Sequence, residues 1–159
     1  MANRDAAAAS HPLAGHKQAY LRSGGREGHL LAGEPLRDGR RFNPMLLLRT
    51  IGRTSGQAFV TPLMYGSYGG ELLVAASFGG ADVHPSWYLN LTANGELAVQ
   101  VATQAYTAGW REPQGEELAA LWAYMDALSP YYAQYRAATR RVIPLIAILL
   151  KEPIPVFTE

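Results

Sequence analysis

Short apolar runs, separated by glycine and polar clusters, recur along most of the chain. The run MLLLRTI, which begins at Met45 and ends before Gly52, predicts a buried strand. Two further apolar runs, FVTPLMY and ELLVAAS, flank GSYGG at 66–70, and this composition predicts a hairpin in which the two runs pair antiparallel. Pro62 cannot donate to a ladder, so the first of these strands should bulge or lie at an edge.

Three more segments have the apolar or alternating pattern of strands: Glu96–Val101, Tyr106–Arg111 and the run VIPLIAILL at 142–150. Helical spacing occurs in four places. It predicts a short helix in HKQAYLR that Gly24-Gly25 stop, a helix with Trp87 and Leu91 before Gly95, a longer helix after Pro113, and a piece carrying Tyr132, Tyr135 and Arg136. The segment EPLRDGRRFNP should be loop. Since strands and helices do not alternate regularly, the pattern favours an α+β domain around an antiparallel sheet or barrel over a Rossmann fold.

Length and composition are those of one globular domain, because the chain has 159 residues of which 48% are apolar. Residues 1–15 are alanine-rich and are expected to form a flexible leader before a single domain at 16–159. Asp5 and the lack of a Leu/Val-rich core count against a secretory signal, which favours a cytoplasmic protein. The C-terminal apolar run contains Pro144 and is far shorter than the ~20 residues of a membrane span.

The chain has no cysteine, and its four histidines lack the spacing of a metal site, so no metal is predicted and redox chemistry would need an organic cofactor. A net charge of +1 argues against nucleic-acid binding. Up to Arg53 there are nine Lys or Arg against four Asp or Glu. This basic part is either a solvated segment or the site of an anionic ligand.

The segment TIGRTSGQAFVTPLM at 50–64 is the candidate for that anion site. Gly52 and Gly56 bracket Arg53, Thr54 and Ser55, so a tight loop would present backbone N–H groups, hydroxyls and a guanidinium to one point. This arrangement suits a phosphate or a carboxylate. It is not a P-loop, because Gln57 stands where that motif requires lysine, and a plain β-turn is the alternative interpretation.

Three longer segments together carry a family resemblance: LLLRTIGRTSGQAFVTPLMYG, LLVAASFGGADVHPSWYLNLTANGELAVQV and YYAQYRAATRRVIPL. They resemble the deazaflavin-dependent nitroreductase family over about 20–150. The resemblance implies a split β-barrel of the FMN-binding and pyridoxamine-phosphate-oxidase-like class, an antiparallel barrel with flanking helices. It also implies that the protein binds coenzyme F420, an 8-hydroxy-5-deazaflavin, and transfers a hydride from its reduced form to a quinone, a nitroaromatic or another activated unsaturated acceptor.

The resemblance further implies a set of site residues. The phosphate-binding turn would be Arg53, Thr54, Ser55, Gly56 and Gln57. The deazaflavin ring would lie between Thr61, Pro62 and Leu63 on one side and Ala76, Ser77, Phe78, Gly79 and Gly80 on the other, with Trp87, Tyr88 and Asn90 on the helix that closes the groove. Tyr132 and Tyr135 would face the ring and the acceptor, with Tyr132 donating a hydrogen bond or a proton and Ser77 assisting.

The chain departs from the family pattern at Thr54, Gln57 and Phe59, where basic side chains often stand, and at Ser129, where an aromatic residue often stands. Arg40, Arg41 and Arg49 are candidates to replace the missing cations. Three interpretations therefore remain open: an F420-dependent reductase, a split-barrel reductase that binds FMN, and a non-catalytic protein that binds a deazaflavin or a lipid.

Partners are expected to be small molecules and a second copy of the chain, since split barrels of this class often pair through their sheets. Arg136, Arg140 and Arg141 would form a basic helical face that is either solvated or close to anionic lipid head groups. The second alternative would place the protein peripherally at the inner face of the membrane.

Overall fold

A computed structural model describes residues 13–33, 39 and 42–159. Most of the predicted leader lies outside these residues, as do Arg40 and Arg41. The helices are α1 (Ala14–Arg22), α2 (Ser86–Asn94), α3 (Gly115–Leu128) and α4 (Tyr131–Ala137), and a 3₁₀ turn covers Phe78–Gly80. The strands are β1 (Leu30–Ala32), β2 (Phe42–Ile51), β3 (Ala58–Met64), β4 (Gly66–Tyr68), β5 (Glu71–Ala75), β6 (Leu97–Val101), β7 (Gln104–Arg111) and β8 (Leu145–Ile154).

All strand pairs are antiparallel. The order in the sheet is β1-β2-β6-β7-β8-β5-β4, with β3 paired to β2 beside this path. Side chains from β2, β5, β6 and β8 nevertheless pack in one buried cluster, which includes Leu46, Val74, Val99 and Ile146. Because β2 and β5 are far apart in the strand order, the sheet must curl to bring them together. The result is a split barrel with flanking helices.

The predicted hairpin around GSYGG is wrong in its larger part. The structure pairs β3 with β2, in a register that places Pro62 opposite Leu47, and the glycine-rich turn joins the shorter strands β4 and β5. The β2–β3 hairpin instead turns through Gly52–Gln57. Two apolar runs around glycines indicate that a hairpin exists, but they do not show which run pairs with which. The edge position expected for β3 is confirmed among the described strands, since β2 is its sole partner there.

Two element boundaries also differ from expectation. Phe42, Asn43 and Pro44 were predicted as loop but begin β2, where Pro44 pairs with Leu30 of β1. The last strand begins at Leu145 and continues past the apolar run to Ile154, because its far half pairs with β7 at Ala105. Pairing with a neighbouring strand, rather than hydropathy, sets both boundaries.

The four predicted helices are present, and the glycine stop expected after the second is confirmed. Gly95 follows α2 with φ +74° and its N–H bonds the Leu91 carbonyl, so a left-handed glycine terminates that helix. Glu116 and Glu117 lie in the first turn of α3, where the helix dipole favours carboxylates. Leu121 and Met125 of α3 are buried against the outer face of β5 and β8.

Thr50 has a buried hydroxyl with no hydrogen-bond partner among the described residues. An unsatisfied buried hydroxyl destabilises the folded state, so we expect Thr50→Val to raise the free energy of unfolding by about 1 kcal/mol. Thr107 provides the matched control, because its Oγ1 accepts the N–H of Glu152 at 3.2 Å. Thr107→Val should therefore destabilise the protein. Urea unfolding curves measure both changes, and a destabilised Thr50→Val variant would contradict the assignment.

Candidate active site

The turn between β2 and β3 is an exposed loop closed by its own backbone. The N–H of Gly52 bonds the Gln57 carbonyl at 2.7 Å, and the N–H of Gly56 bonds the Gly52 carbonyl at 2.9 Å. Space at Gly52 is restricted, because an added Cβ would lie 2.5 Å from Ser55 Oγ and 2.7 Å from the Phe59 ring, so these side chains would have to shift to admit it. The turn is therefore compact, and residues 53–57 remain exposed.

Helix α2 anchors this turn. The buried Asn90 accepts two hydrogen bonds at Oδ1, one from the backbone N–H of Arg53 at 3.1 Å and one from its guanidinium at 2.8 Å. One turn further along α2, the side-chain amide of Asn94 donates to the Ile51 carbonyl at 2.8 Å. The sequence prediction that Asn90 belongs to the same site as Arg53 is consistent with this contact, although here the asparagine holds the arginine.

Several donors of the turn stay available. Within the described part of the chain, no backbone partner bonds the N–H of Thr54 or Ser55. Only Nη1 of Arg53 is engaged, so Nε and Nη2 can still donate. Two adjacent free amides beside a guanidinium form a concave donor set that suits an anion.

The segments expected on either side of the ring also meet. Leu63 of β3 packs against the cluster that contains Ala76 and Trp87. Thr61 lies on the same face of β3, because side chains two residues apart on a strand point the same way. Trp87 is 5% exposed and packs in the same core cluster as Ala76.

The segment after β5 has an unusual backbone. Phe78, Gly79 and Gly80 have φ values of +48°, +62° and +84° in succession. Phe78 is strained in this region, and its ring is 56% exposed. The N–H groups of Ser77, Phe78 and Gly79 bond no described residue, so they can donate to a ligand.

The Tyr88 hydroxyl is bound by a carboxylate at the end of β7. This hydroxyl donates to the Glu112 carboxylate, with both oxygens at 3.0 Å, and the Tyr88 ring lies 4.8 Å from that of His84. Burial, together with the hydrogen bond to Glu112, raises the pKa of Tyr88 to about 12. Through this hydrogen bond Tyr88 links α2 to Glu112, the residue that follows β7.

Tyr132 lines a cavity of about 180 Å³ at the end of β3. The cavity is lined by Asn43, Pro44, Met64, Tyr65, Gly66, Ser67, Tyr124, Leu128, Ser129 and Tyr132. Tyr132 is 4% exposed, and burial raises the pKa of its hydroxyl well above the usual range. Tyr132 packs in the buried cluster of Ala75, whereas Leu63 packs in the cluster of Val74 and Ala76. Tyr132 and Leu63 therefore lie in different clusters on neighbouring residues of one segment.

Tyr135 approaches the site through its backbone. An added Cβ on Gly80 would lie 2.9 Å from the Tyr135 carbonyl oxygen and 2.8 Å from Ala138 Cβ, so α4 packs directly on the 3₁₀ turn. The Tyr135 ring is half-buried and stacks on that of Tyr131, with 6.3 Å between centroids. Burial raises the pKa of Tyr135 as well.

The predicted basic helical face is not formed. Helix α4 ends at Ala137, so Arg140 and Arg141 lie beyond it. Arg136 pairs with Asp126 at 2.7 Å and covers the Trp122 ring, and Arg141 is bound to backbone carbonyls. The predicted face required the helix to continue through Arg141, but it ends at Ala137 and a loop leads on to β8 at Leu145.

Arg40 and Arg41, two of the three arginines proposed to replace the missing cations, lie outside the described residues. The third, Arg49, contacts an aromatic ring. The Arg49 guanidinium lies 4.5 Å from the centroid of the Phe157 ring. It shares a face of β2 with Met45 and Leu47, opposite to the face of Leu48 and Thr50. Sequence reasoning had no signal for this contact, because Phe157 is more than 100 positions away in the chain.

Comparison with known proteins decides the family. The sequence pattern of the F420H(2)-dependent quinone reductase family matches residues 14–150. This chain belongs to the F420H(2)-dependent quinone reductase family. An F420H(2)-dependent quinone reductase of Mycobacterium tuberculosis strain H37Rv is 32% identical over 136 residues, which are 84% of this chain and 86% of the relative.

Solved structures agree with this assignment. An F420-H2 dependent reductase superposes with a TM-score of 0.60 at 36% identity, over 66% of this chain and 93% of that chain. A structure described as a domain-swapped dimer superposes with a TM-score of 0.62 at 30% identity, over 84% and 94%. The heme storage protein HutZ of Vibrio cholerae, at 12% identity and a TM-score of 0.52 over 68% and 82%, shares the fold.

Membership in this quinone reductase family makes the chain an oxidoreductase whose cofactor is coenzyme F420. Of the three interpretations of the sequence, the first is confirmed. The donors present fit this coenzyme. The Arg53 turn has free N–H groups and a guanidinium of the kind that binds a phosphodiester, and Ser77, Phe78 and Gly79 have free N–H groups of the kind that binds ring carbonyls. Among the described helices, none has both the length and the apolar character to cross a bilayer.

Proposed function

We propose that the quinone reductase binds coenzyme F420 with its phosphate on the Arg53 turn and its ring between β3 and the segment 76–80. The observation that carries this placement is the pair of free amides at Thr54 and Ser55 beside a guanidinium fixed by Asn90. A fixed guanidinium loses less conformational entropy on binding than a mobile one. The missing cations at Thr54 and Gln57 are thus partly offset by a preorganised turn.

The ring would be positioned from two sides. The backbone of Thr61–Leu63, with the Thr61 and Leu63 side chains, would run along one side, and the N–H groups of Ser77, Phe78 and Gly79 would donate to its carbonyls from the other. The Ser77 hydroxyl bonds no described residue and is available to the ring or the acceptor. When bound in reduced form, the coenzyme supplies a hydride from its central ring carbon. The chain contributes orientation and exclusion of water.

The cavity beside Met64 and Tyr65 is proposed to hold the acceptor. Met64 and Tyr65 directly follow Leu63, so the cavity adjoins the strand that lies beside the ring. Its lining combines aromatic walls with buried polar groups, which suits a flat ring bearing oxygen acceptors. A volume of about 180 Å³ accommodates a small quinone ring rather than a long prenyl tail.

Tyr132 would donate a hydrogen bond to a quinone oxygen in this cavity. Because its pKa is raised, a buried phenolate is unfavourable, and full transfer of the Tyr132 proton is disfavoured relative to hydrogen bonding. Tyr135 and Ser77 lie nearer to the 3₁₀ turn and would contact the acceptor where it meets the ring.

Titration of the purified protein with oxidised coenzyme F420 and, separately, with FMN tests the proposed function. The account predicts saturable binding of coenzyme F420 with much weaker binding of FMN, followed by anaerobic reduction of menadione by the reduced coenzyme. Ligand fluorescence and the deazaflavin absorbance report the two steps. Binding of FMN in preference to coenzyme F420 would contradict the proposal, and binding without turnover would assign the chain to storage or carriage.

In Tyr132→Phe, we expect KM for menadione to rise about fivefold with kcat changed by less than about threefold, since one neutral hydrogen bond is worth about 1 kcal/mol. Steady-state kinetics at saturating reduced coenzyme measure both constants. Tyr106→Phe is the control, because that hydroxyl bonds Gln104 on β7. If Tyr132→Phe leaves KM and kcat unchanged while Tyr135→Phe or Ser77→Ala alters them, the acceptor lies over the 3₁₀ turn instead of in the cavity.

Two further expectations concern partners and location. We propose that two copies of the chain pair, which is supported by the 30% identical structure described as a domain-swapped dimer. We also propose a cytoplasmic protein in peripheral contact with the membrane, supported by the exposed apolar side chains of Phe78, Val83 and Val142. Scattering in solution and sedimentation with anionic vesicles would test the two expectations separately.

A further inference from the structure

The Arg141 guanidinium binds four acceptors around the 3₁₀ turn. Its Nε donates to the Ala81 carbonyl at 2.7 Å, and its Nη2 donates to the carbonyls of Ala76 at 3.1 Å and Ser77 at 2.8 Å. Its Nη1 lies 3.0 Å from Nδ1 of His84, which must accept this bond because a guanidinium can only donate. One side chain thus binds both ends of the segment that carries the left-handed residues.

That segment needs external support. Its own backbone supplies two hydrogen bonds, from Gly80 to the Ser77 carbonyl and from Ala81 to the Phe78 carbonyl. The φ of +48° at Phe78 is unfavourable for a residue with a side chain, and such strain persists where the surroundings hold it. Arg141 is the charged group that binds the carbonyls on both sides of Phe78.

A second link joins the same two loops. The Thr139 hydroxyl donates to the Asp82 carboxylate at 2.7 Å, and the N–H of Arg141 donates to the Thr139 oxygen at 3.3 Å. The Arg141 side chain is partly buried. Burial lowers its pKa from the usual guanidinium value, while Asp82 raises it. The hydrogen bonds from the planar guanidinium to four acceptors offset this cost of desolvation. The ammonium of a lysine cannot reproduce them, because its donors are not arranged in a planar fork.

We propose that Arg141 is a positioning residue that holds Ala76–Ala81 in the conformation that receives the coenzyme ring. The inference rests on the proposed placement of the ring. Arg141 makes no contact with substrate in this arrangement, because its donors are directed to the protein. Its effect on the reaction is therefore indirect, through the free N–H groups of Ser77, Phe78 and Gly79.

Variants Arg141→Lys and Arg141→Met, with Arg140→Met as control, test this role. Arg140 is exposed and makes no hydrogen bond or ion pair with a described residue, so its loss removes the same charge without removing a bond. The first measurement is amide hydrogen exchange of the protein without coenzyme. The account predicts faster exchange in 76–84 for both Arg141 variants and unchanged exchange in β2, β6 and β8.

The second measurement is steady-state kinetics. We expect KM for the reduced coenzyme to rise about tenfold in both Arg141 variants, which corresponds to about 1.4 kcal/mol, with KM for menadione changed little. Arg141→Lys should not restore the coenzyme KM, because a lysine keeps the charge but lacks the forked donors of the guanidinium. Arg140→Met should behave as wild type in both measurements.

The outcomes separate this inference from the proposed function. Unchanged local exchange, a coenzyme KM equal to that of wild type, or full rescue by lysine would overturn the role of Arg141. Faster exchange throughout the sheet, or failure of both variants to fold, would show a general structural role and would overturn it equally. If wild type does not bind coenzyme F420, the proposed placement fails, whereas the exchange result still shows whether Arg141 orders 76–84.

Discussion

In Arg53→Ala, we expect the dissociation constant for oxidised coenzyme F420 to rise about 10- to 100-fold. A charge-assisted hydrogen bond contributes about 1.5–3 kcal/mol, and each 1.4 kcal/mol corresponds to a factor of ten in affinity. Within the described chain, Arg53 is the cation of the turn, since Thr54 and Gln57 are neutral. Fluorescence titration of the coenzyme measures the change.

The ionic strength dependence makes this prediction more specific. Salt screens exposed charges, so raising its concentration should weaken coenzyme binding by wild type more than by Arg53→Ala. Arg26→Ala is the control, because Arg26 is exposed and belongs to the loop after α1. Equal dissociation constants for wild type and Arg53→Ala would remove the turn from the binding site.

In Gly25→Ala, we expect the free energy of unfolding to fall by about 3–5 kcal/mol, a range reached when a buried side chain is forced into occupied space. Gly25 has φ +85°, and an added Cβ would lie 1.7 Å from the carbonyl oxygen of Ala102. This carbonyl belongs to the turn between β6 and β7, which Tyr20 fixes by accepting the Ala102 N–H at 2.7 Å. Neither backbone segment can move freely to admit a methyl group.

Gly24→Ala is the matched control for this prediction. Gly24 also has a positive φ, +63°, but an added Cβ would meet nothing nearer than a Val156 methyl at 3.9 Å. Gly24→Ala should lower the free energy of unfolding by about 1–2 kcal/mol, from backbone strain alone. Urea unfolding of the two variants measures the difference. Similar losses for both would show that α1 does not dock against the β6–β7 turn as described.

The segments with strong periodicity were predictable from sequence. Apolar spacing predicts the helix after Pro113, a glycine predicts the stop at Gly95, and an apolar run predicts the strand through Leu47. All three are local patterns that agree with the packing in the folded protein. The pairing of β3 was not predictable in the same way, because both neighbouring turns contain glycines and both would form hairpins. Register and partner are decided by the curled sheet, in which Pro62 must lie on an edge strand.

The residues of the candidate site also fall into those that local sequence indicates and those that only tertiary contacts reveal. Arg53, Ser55 and Gly56 were proposed from composition, since glycines around hydroxyl and basic residues indicate an anion-binding turn. Their link to Asn90 was suggested by family resemblance rather than by spacing. The function of Arg141 was missed, because a basic residue after a tyrosine-rich helix looks like a solvated cation until its four acceptors are seen.

The departures from the family pattern gain a physical meaning in the structure. Phe59 stands where a basic residue is common, and its ring covers Gly52 at the base of the turn. It thereby contributes packing where a cation would contribute charge. We infer that this reductase relies on a rigid turn with one guanidinium, rather than on several mobile cations, to bind the phosphate.

The most direct test of the account is a crystal structure of the protein with oxidised coenzyme F420. The account predicts the phosphate within hydrogen-bond distance of the Thr54 and Ser55 N–H groups and of the Arg53 guanidinium, with the ring beside Thr61–Leu63. A phosphate bound at another surface, such as the loop of Arg140, or a ring that does not approach β3, would contradict it.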